Sequence, residues 1–340
     1  MKSTPTCSVI IPTYNRAELL AHTLNSLVRQ TLSPADFEVL VVDDGSSDDT
    51  AAVVESFKDR LDVRYFYQED RGYRVAKARN VGIANARGEV CVFVDSGVLL
   101  ASGCLVAHLA SHAAWPGPVA VVGYVYCFNE GNEDGAQMLR VIDVDDPDAT
   151  IAMLRDKGQW LDIREDFYSI YGDDFADEPV PWVVYWTCDV SASTDLLREI
   201  GGFDEWFSRW GGEDVEIGYR LHRGGARFVL NREAAAIHHP HEKDYDANVG
   251  GALGNYEYIA QKHDTPITRL VVGNHFFLIN DLVRERGLPS CEEYLAGAAA
   301  PEPAGTVHPK LPLLEQAEIV SARARAARER ALAKVVEHAR

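Results

Sequence analysis

Short apolar runs and helically spaced leucines alternate through the first third of the chain. CSVII over 7–11, FEVLVV over 37–42, VRYFY over 63–67 and VCVFV over 90–94 are β-branched or aromatic stretches with little polar alternation. Runs this short and apolar predict strands covered on both faces. Leu20, Leu24 and Leu27 space a helix over 17–30, and further helices are expected over 50–57 and 75–86. Strands alternating with helices predict a mostly parallel sheet flanked by helices, a Rossmann-like α/β architecture. In such sheets ligands gather beyond the carboxyl ends of the strands. The loops 13–15, 43–46 and 95–97 each follow a predicted strand directly, so all three fall at that edge.

The pattern changes after the fourth strand. Segment 143–178 holds twelve acidic residues against Arg155, Lys157 and Arg164, interleaved with Trp160, Phe167, Tyr168 and Tyr171. The aromatics predict an ordered insertion over the sheet edge, and the charges a solvated acidic surface. Strand pattern returns over 183–191. A helix is expected over 194–200, another over 214–222 closed by Gly224-Gly225, and a last strand over 227–230. Residues 296–312 are rich in Ala, Pro and Gly and read as a flexible connector. The unbroken Ala, Arg and Glu pattern over 313–339 predicts one long helix, able to dock, project or pair with a second subunit as a homodimer. The expected division is a catalytic domain over 1–245 and a helical C-terminal extension over 246–340. Within the first, 1–125 forms one half, 143–178 the insertion and 180–245 the other half.

Charge narrows the partners. The net charge of −19 repels nucleic acid and anionic membranes. An anionic nucleotide then needs local neutralisation by a metal ion, helix N-termini or arginines. The six cysteines form no CxxC pair and sit mostly in apolar runs, which predicts buried thiols in a reducing compartment. No signal-like or membrane-spanning apolar stretch is seen, so a cytoplasmic protein is expected.

Four strings then add chemistry. Ser8-Val9-Ile10-Ile11-Pro12-Thr13-Tyr14-Asn15-Arg16 and Val41-Val42-Asp43-Asp44-Gly45-Ser46 resemble the opening of family 2 glycosyltransferases, which have the GT-A fold. Gln68 to Arg74 followed by Ala78-Arg79-Asn80-Val81-Gly82 is similar to that family's donor-site helix. Gly201-Gly202-Phe203-Asp204-Glu205 with Trp210-Gly211-Gly212-Glu213-Asp214 resembles an acceptor block shared with galactosyltransferases and chondroitin-type polymerases. The resemblance spans residues 7 to about 245.

It implies an inverting hexosyltransferase that moves a sugar from a UDP-sugar to a hydroxyl of a glycan or small-molecule acceptor. Pro12, Thr13, Tyr14 and Arg16 would line the base, with Asp43 or Asp44 accepting from its N–H; either aspartate can instead hold the turn at Gly45. Arg79, with Arg71 and Arg74, would approach the base or diphosphate. The family's DxD metal motif reads Asp95-Ser96-Gly97 here, so its last carboxylate is missing. Mn²⁺ or Mg²⁺ would rest on Asp95, helped by His239 or His241 from the run Ile237-His238-His239-Pro240-His241. Asp214 is the expected general base, ionised from the outset at an ordinary pKa of about 3.9. Glu213 would orient sugar hydroxyls, with Trp210 and Gly212 beside the acceptor and one or two of Trp182, Trp186, Trp206 and Trp210 lining it. Asp189 is expected against the transferred sugar. A nucleotidyltransferase would need a glycine-rich basic loop that 13–16 does not supply. A catalytically silent sugar-nucleotide-binding or scaffold protein is the alternative, against which the intact Glu213-Asp214 pair weighs.

Overall fold

The computed structural model describes residues 5–129, 132–242, 245–297 and 312–338. Among them, eight strands form one sheet: β1 Cys7–Thr13, β2 Phe37–Asp43, β3 Val63–Tyr67, β4 Val90–Val94, β5 Val98–Leu100, β6 Val119–Tyr126, β7 Asp189–Ser193 and β8 Arg227–His238. The order is β3-β2-β1-β4-β7-β6-β8-β5. The first four run parallel, as the strand–helix alternation predicts. β7 is antiparallel to both neighbours, β6 and β8 are parallel, and β5 returns antiparallel on β8. The sheet is flanked by helices on both faces, the GT-A arrangement with a helical C-terminal extension.

Strand alternation sends side chains into two cores. Val9, Ile11, Val39 and Val41 meet Leu20, Leu24, Leu27 and Val54 on one face. Ile10, Leu40 and Phe93 meet Ala76 and Ile83 on the other. Each leucine so buried stabilises the fold by about 1.5–3 kcal/mol, which makes Ala17–Val28 a helix defined by packing.

Several expectations need correction. The strand predicted over 183–191 begins as a short 3-10 helix, Pro181–Val184, and only Asp189–Ser193 joins the sheet. Trp182, Val183 and Val184 are buried in a core rather than on a strand. The last strand does not stop at 230: β8 runs on to His238 against both β6 and β5. β5, β6 and the helix Cys104–Ala113, between the fourth strand and the acidic segment, were not foreseen.

The acidic segment is ordered over a buried apolar face, and most of its carboxylates stay exposed, as the charge pattern predicts. Its helices Pro147–Lys157 and Glu165–Tyr171 bury Ile151, Leu154, Phe167 and Tyr168. Asp162 forms a buried pair with Arg164, whose Nη2 also donates to the Gly123 carbonyl and whose Nη1 donates to that of Val184. Other acids meet arginines from distant elements: Glu165 and Asp173 face Arg232, Asp174 and Asp177 face Arg227, and Asp166 faces Arg328.

Arg328 lies on the helix Leu313–His338, which docks on the chain's own helix Glu165–Tyr171, burying Val320 and Ala324. Of the expected alternatives, docking on the chain's own fold is the one seen. The expected boundary at 245/246 falls at the start of one helix, Tyr245–His263. The connector expected near 296–312 lies largely outside the described residues. All six cysteines are buried free thiols. No described helix is long and apolar enough to cross a membrane.

Candidate functional site

β1 and β2 stay in register as far as Thr13 and Asp43, so their loops emerge side by side. The loops are stitched together. Asp44 N–H donates to the Thr13 carbonyl at 2.9 Å. Asn15, at φ 48°, donates its N–H to Ser46 Oγ and accepts from Ser47 N–H. Asp48 accepts from Ala17 N–H and so caps the first helix from across the gap.

The two neighbouring aspartates divide their work. Asp43 accepts from Gly45 and Ser46 N–H and, at 2.5 Å, from the Tyr65 hydroxyl, so it holds the turn. Asp44 accepts from Gln68 Nε2 at 2.6 Å and from the Arg74 backbone and guanidinium at 2.8 and 3.0 Å. Gly45 has φ +99°, and a Cβ there would lie 2.4 Å from the Asp70 nitrogen, so only glycine lets segment 68–70 cross the turn. Tyr14 reaches over this crossing and donates to Asp70. Pro12 and Thr13 are buried beneath it, and Arg16 stands half-buried at the first helix's start. Arg71 is elsewhere: its side chain is 72% exposed and pairs with Glu69 on the surface.

Arg79, expected near the base or diphosphate, is held between two carboxylates. Its side chain is 2% exposed, with Nη2 on Asp95 Oδ1 at 2.9 Å and Nη1 on Glu213 Oε1 at 3.0 Å. Its guanidinium lies 5.3 Å from the Phe203 ring centroid. Burial opposes the charge, but the two carboxylates outweigh it and raise the pKa. Arg79 therefore ties the loop after β4 to the helix Glu213–Arg223. Its neighbour Asn80 reinforces the link, exchanging hydrogen bonds with the backbone of Phe203 at 2.7 and 2.8 Å. Gly202 makes room: a Cβ there would sit 2.4 Å from Asn80 Oδ1. Asn80 had no assigned role, although it directly follows Arg79 in the Ala-Arg-Asn string.

Gly211 and Gly212, both at positive φ, deliver Glu213 and Asp214 to the first turn of the helix Glu213–Arg223. Asn255, from the helix Tyr245–His263, clamps this loop by donating to the Gly211 carbonyl at 2.6 Å, with longer contacts to those of Arg209 and Trp210. The same helix sends Lys262 and His263 to Glu216, which Arg220 also grips. Burial alone would lift the Glu216 carboxyl; the bonds from His263, Arg220 and Lys262 hold it at about 2. Asp214 behaves oppositely. Desolvation and the Glu213 charge push it up to about 7, far from the ordinary value expected of it. Trp182 is core and Trp186 stacks on Phe277, whereas Trp206 and Trp210 are exposed; Trp206 lies flat on Tyr258 with centroids 3.7 Å apart.

A divalent ion of the kind the fold family implies has a partial donor set here. Asp95 offers a carboxylate, Ser96 is buried, and Gly97 contributes no side chain. The pairing of β5 with β8 brings His239 close, its N–H on the Gly97 carbonyl at 2.9 Å. His239 stacks on His22, and its buried Nδ1 has no partner. One carboxylate and one open imidazole nitrogen suit such an ion. His241 turns its Nδ1 to the His239 carbonyl, so Asp95, His239 and His241 are not gathered as a trio. Among the described residues, the cluster with metal-ligand character is Cys104, His108 and Asp189, whose donor atoms lie within 4.8 Å of one another. Asp189, expected against the transferred sugar, is fully buried and meets His108.

A further signal could not be read from sequence. Thr13 Oγ1, Gln68 Oε1, Arg74 Nε, Arg79 Nε, Glu213 Oε2 and His239 Nδ1 are buried without hydrogen-bond partners. Native proteins leave few such atoms, and these six border the carboxyl edge of the sheet. A ligand rich in polar groups would satisfy them.

The sequence model described as Glycosyl transferase family 2 matches residues 8–173, and that described as N-terminal domain of galactosyltransferase matches 174–242. The uncharacterized glycosyltransferase YfnE of Bacillus subtilis (strain 168) is 30% identical over 76% of this chain and 70% of its own length. The chain belongs to glycosyl transferase family 2. Within the family, the validoxylamine A glucosyltransferase of Streptomyces hygroscopicus subsp. limoneus is 40% identical over 78% of this chain. The chain spans only 58% of that relative, and 63% of its counterpart in subsp. jinggangensis. Among solved structures, Staphylococcus aureus TarS 1-349 in complex with UDP-GlcNAc superposes with a TM-score of 0.57 at 20% identity. It covers 86% of this chain and 76% of that one, a likeness of fold.

Proposed function

We propose that this chain is an inverting, divalent-metal-dependent glycosyltransferase, moving a hexosyl group from a UDP-sugar to an acceptor hydroxyl with Asp214 as general base. The observation that carries the reading is the Arg79 bridge. It joins Asp95, on the loop after β4, to Glu213, and Asp214 stands beside Glu213 with its carboxyl lifted to about 7. A base poised near neutrality suits removal of a hydroxyl proton as the new bond forms.

We assign 1–125 to donor binding and 180–245 to the acceptor, in a catalytic unit over 1–245. Asp44, steadied by Gln68 and Arg74, accepts from a uracil-like N–H, while Thr13 and Tyr14 border the base and Asp43 keeps the turn. A divalent cation, Mn²⁺ or Mg²⁺, on Asp95 and His239 supplies charge neutralisation for the departing diphosphate when bound. Glu213 keeps one carboxylate oxygen open for a sugar hydroxyl, and Gly212 and Trp210 border the acceptor. The 40% identity to a validoxylamine A glucosyltransferase supports UDP-glucose as donor and a small hydroxyl-bearing acceptor. The buried free thiols fit the cytoplasm.

Calorimetric titration with UDP and a panel of UDP-sugars, with Mn²⁺ and with EDTA, tests this. Metal-dependent binding that is lost in Asp95→Ala, with UDP-glucose the tightest sugar, is the expected result. Equal binding in EDTA would remove the metal from the mechanism. Failure to bind any nucleoside diphosphate would end the reading. Donor binding without donor hydrolysis or transfer would favour a silent sugar-nucleotide-binding protein.

A further inference from the structure

A second cluster lies beneath the sheet's carboxyl edge, where Asp189 pairs with Val94, the last residue of β4. Cys104 and His108 stand one turn apart on the helix Cys104–Ala113 and face Asp189, the first residue of β7. All three side chains are fully buried. Cys104 Sγ lies 3.7 Å from both Asp189 carboxylate oxygens, and His108 Nε2 lies 3.0 Å from Oδ1. Around a tetrahedral zinc ion, bonds of roughly 2.0–2.3 Å keep neighbouring donors roughly 3–4 Å apart.

We propose that Cys104, His108 and Asp189 hold a zinc-class ion, with the thiolate, the imidazole Nε2 and one carboxylate oxygen as its three protein donors and a fourth position left for water. Two further observations support a built site. The other His108 nitrogen, Nδ1, meets Ser191 Oγ at 2.9 Å, and that hydroxyl also meets His112 Nε2 at 2.9 Å. Outer partners of this kind fix the ring and tautomer of a ligating histidine. Gly123 on β6 leaves the carboxylate its place, since a Cβ there would sit 2.1 Å from Asp189 Oδ2. The charges also balance: one thiolate and one carboxylate neutralise a divalent ion, and a neutral imidazole adds nothing. In a dry interior that balance matters more than in water. Ligation releases the Cys104 thiol proton to solvent as the sulfur–metal bond forms. A thiolate among the donors selects zinc over Mg²⁺ or Mn²⁺, so this ion differs in kind from the one proposed at Asp95. It does not rest on the catalytic reading.

The test is elemental analysis of the full chain, purified from zinc-supplemented cells and dialysed without chelator. About one zinc per chain is expected, kept by Asp95→Ala and absent from Cys104→Ser. Protein refolded with Co²⁺ in place of zinc should show a near-ultraviolet thiolate-to-cobalt band. That readout needs no variant, so it stands even where Cys104→Ser fails to fold. Zinc-free protein with no cobalt band would overturn the proposal and leave a hydrogen-bonded cluster with no ion. Zinc retained by folded Cys104→Ser would overturn it as well.

Discussion

The two edges of the sheet carry buried charge in opposite ways. At the amino edge, Glu38 has a fully buried side chain, and every contact is answered. It accepts from Ser8 Oγ, from the Arg87 backbone and guanidinium, and from Arg64. Burial works against its ion, but those donors outweigh it and hold its carboxyl below the usual range. At the carboxyl edge Glu213 is also buried, yet it meets one Arg79 nitrogen and leaves Oε2 unmatched. Asp214 beside it is pushed up instead of down. A saturated charge stabilises a fold; a charge left partly open, on a helix start beside the sheet's carboxyl edge, is poised for something that arrives later. The contrast turns burial, which the two edges share, into a distinction between structure and chemistry.

The sharpest way to break this contrast is Asp214→Asn. If Asp214 is the base, kcat falls by about 10²–10⁴-fold while calorimetric affinity for the UDP-sugar holds. Wild-type kcat/KM should rise with pH through about 7 as Asp214 loses its proton, and the residual rate of the variant should lose that limb. Stability runs the other way. The folded pKa stands above the ordinary value of about 3.9, so the contribution of Asp214 is fully present below that value and is lost as pH rises through about 7. The variant's Tm should therefore gain on wild type as pH increases. A variant with full kcat, or an unchanged acid limb, would remove Asp214 from the chemistry.

What was legible in the sequence follows from where the information sits. The parallel half of the sheet is written in short apolar runs, and its loops in turn residues such as Asp43-Asp44-Gly45, whose partners are close in sequence. β6, VAVVGYVY over 119–126, carries the same signature and went unassigned, whereas β5 spans three residues, too few to show a pattern, and the 181–184 segment misleads. Val183 and Val184 look like strand but are buried in a short 3-10 turn under Trp182, where tertiary packing overrides propensity. At the site, the motif strings pick out Arg79, Asp95 and Glu213, but not that one guanidinium joins the other two. That contact spans 134 positions, which no periodicity records. The acidic segment shows the same limit: composition gives its charge and its exposure, and only the fold supplies Arg227, Arg232 and Arg328.

Glu38→Gln probes the other edge. The substitution keeps the shape and removes the charge that Arg87 and Arg64 answer. A loss of about 2 kcal/mol, the scale of charge-assisted hydrogen bonds, is expected in urea melts at pH 7, with donor affinity unchanged. The pH dependence follows the opposite sign to Asp214. A depressed folded pKa contributes stability above the ordinary glutamate value of about 4.3 and loses it as pH falls through the depressed value. The wild-type advantage over Glu38→Gln should therefore shrink on acidification. A variant that kept full stability but lost donor binding would invert the assignment of the two edges.

Asn255→Ala makes the smallest and most discriminating change. Its amide serves the 209–211 loop alone, donating to the Gly211 carbonyl at 2.6 Å and more distantly to those of Arg209 and Trp210. The Gly211 and Gly212 backbones pack against its own helix, a Cβ on Gly212 falling 3.2 Å from Asn255 Cβ. Loss of one good hydrogen bond costs about 1 kcal/mol, so the fold survives and only the placement of Trp210 and the entry to Glu213 relax. If the loop positions the acceptor, KM for the acceptor rises about fivefold while UDP-sugar affinity, which depends on loops the amide never touches, stays constant. Equal loss of both affinities would mean that the Arg79 bridge transmits the change across to Asp95, making the two halves one binding unit. No change in either would confine Asn255 to holding the helix in place.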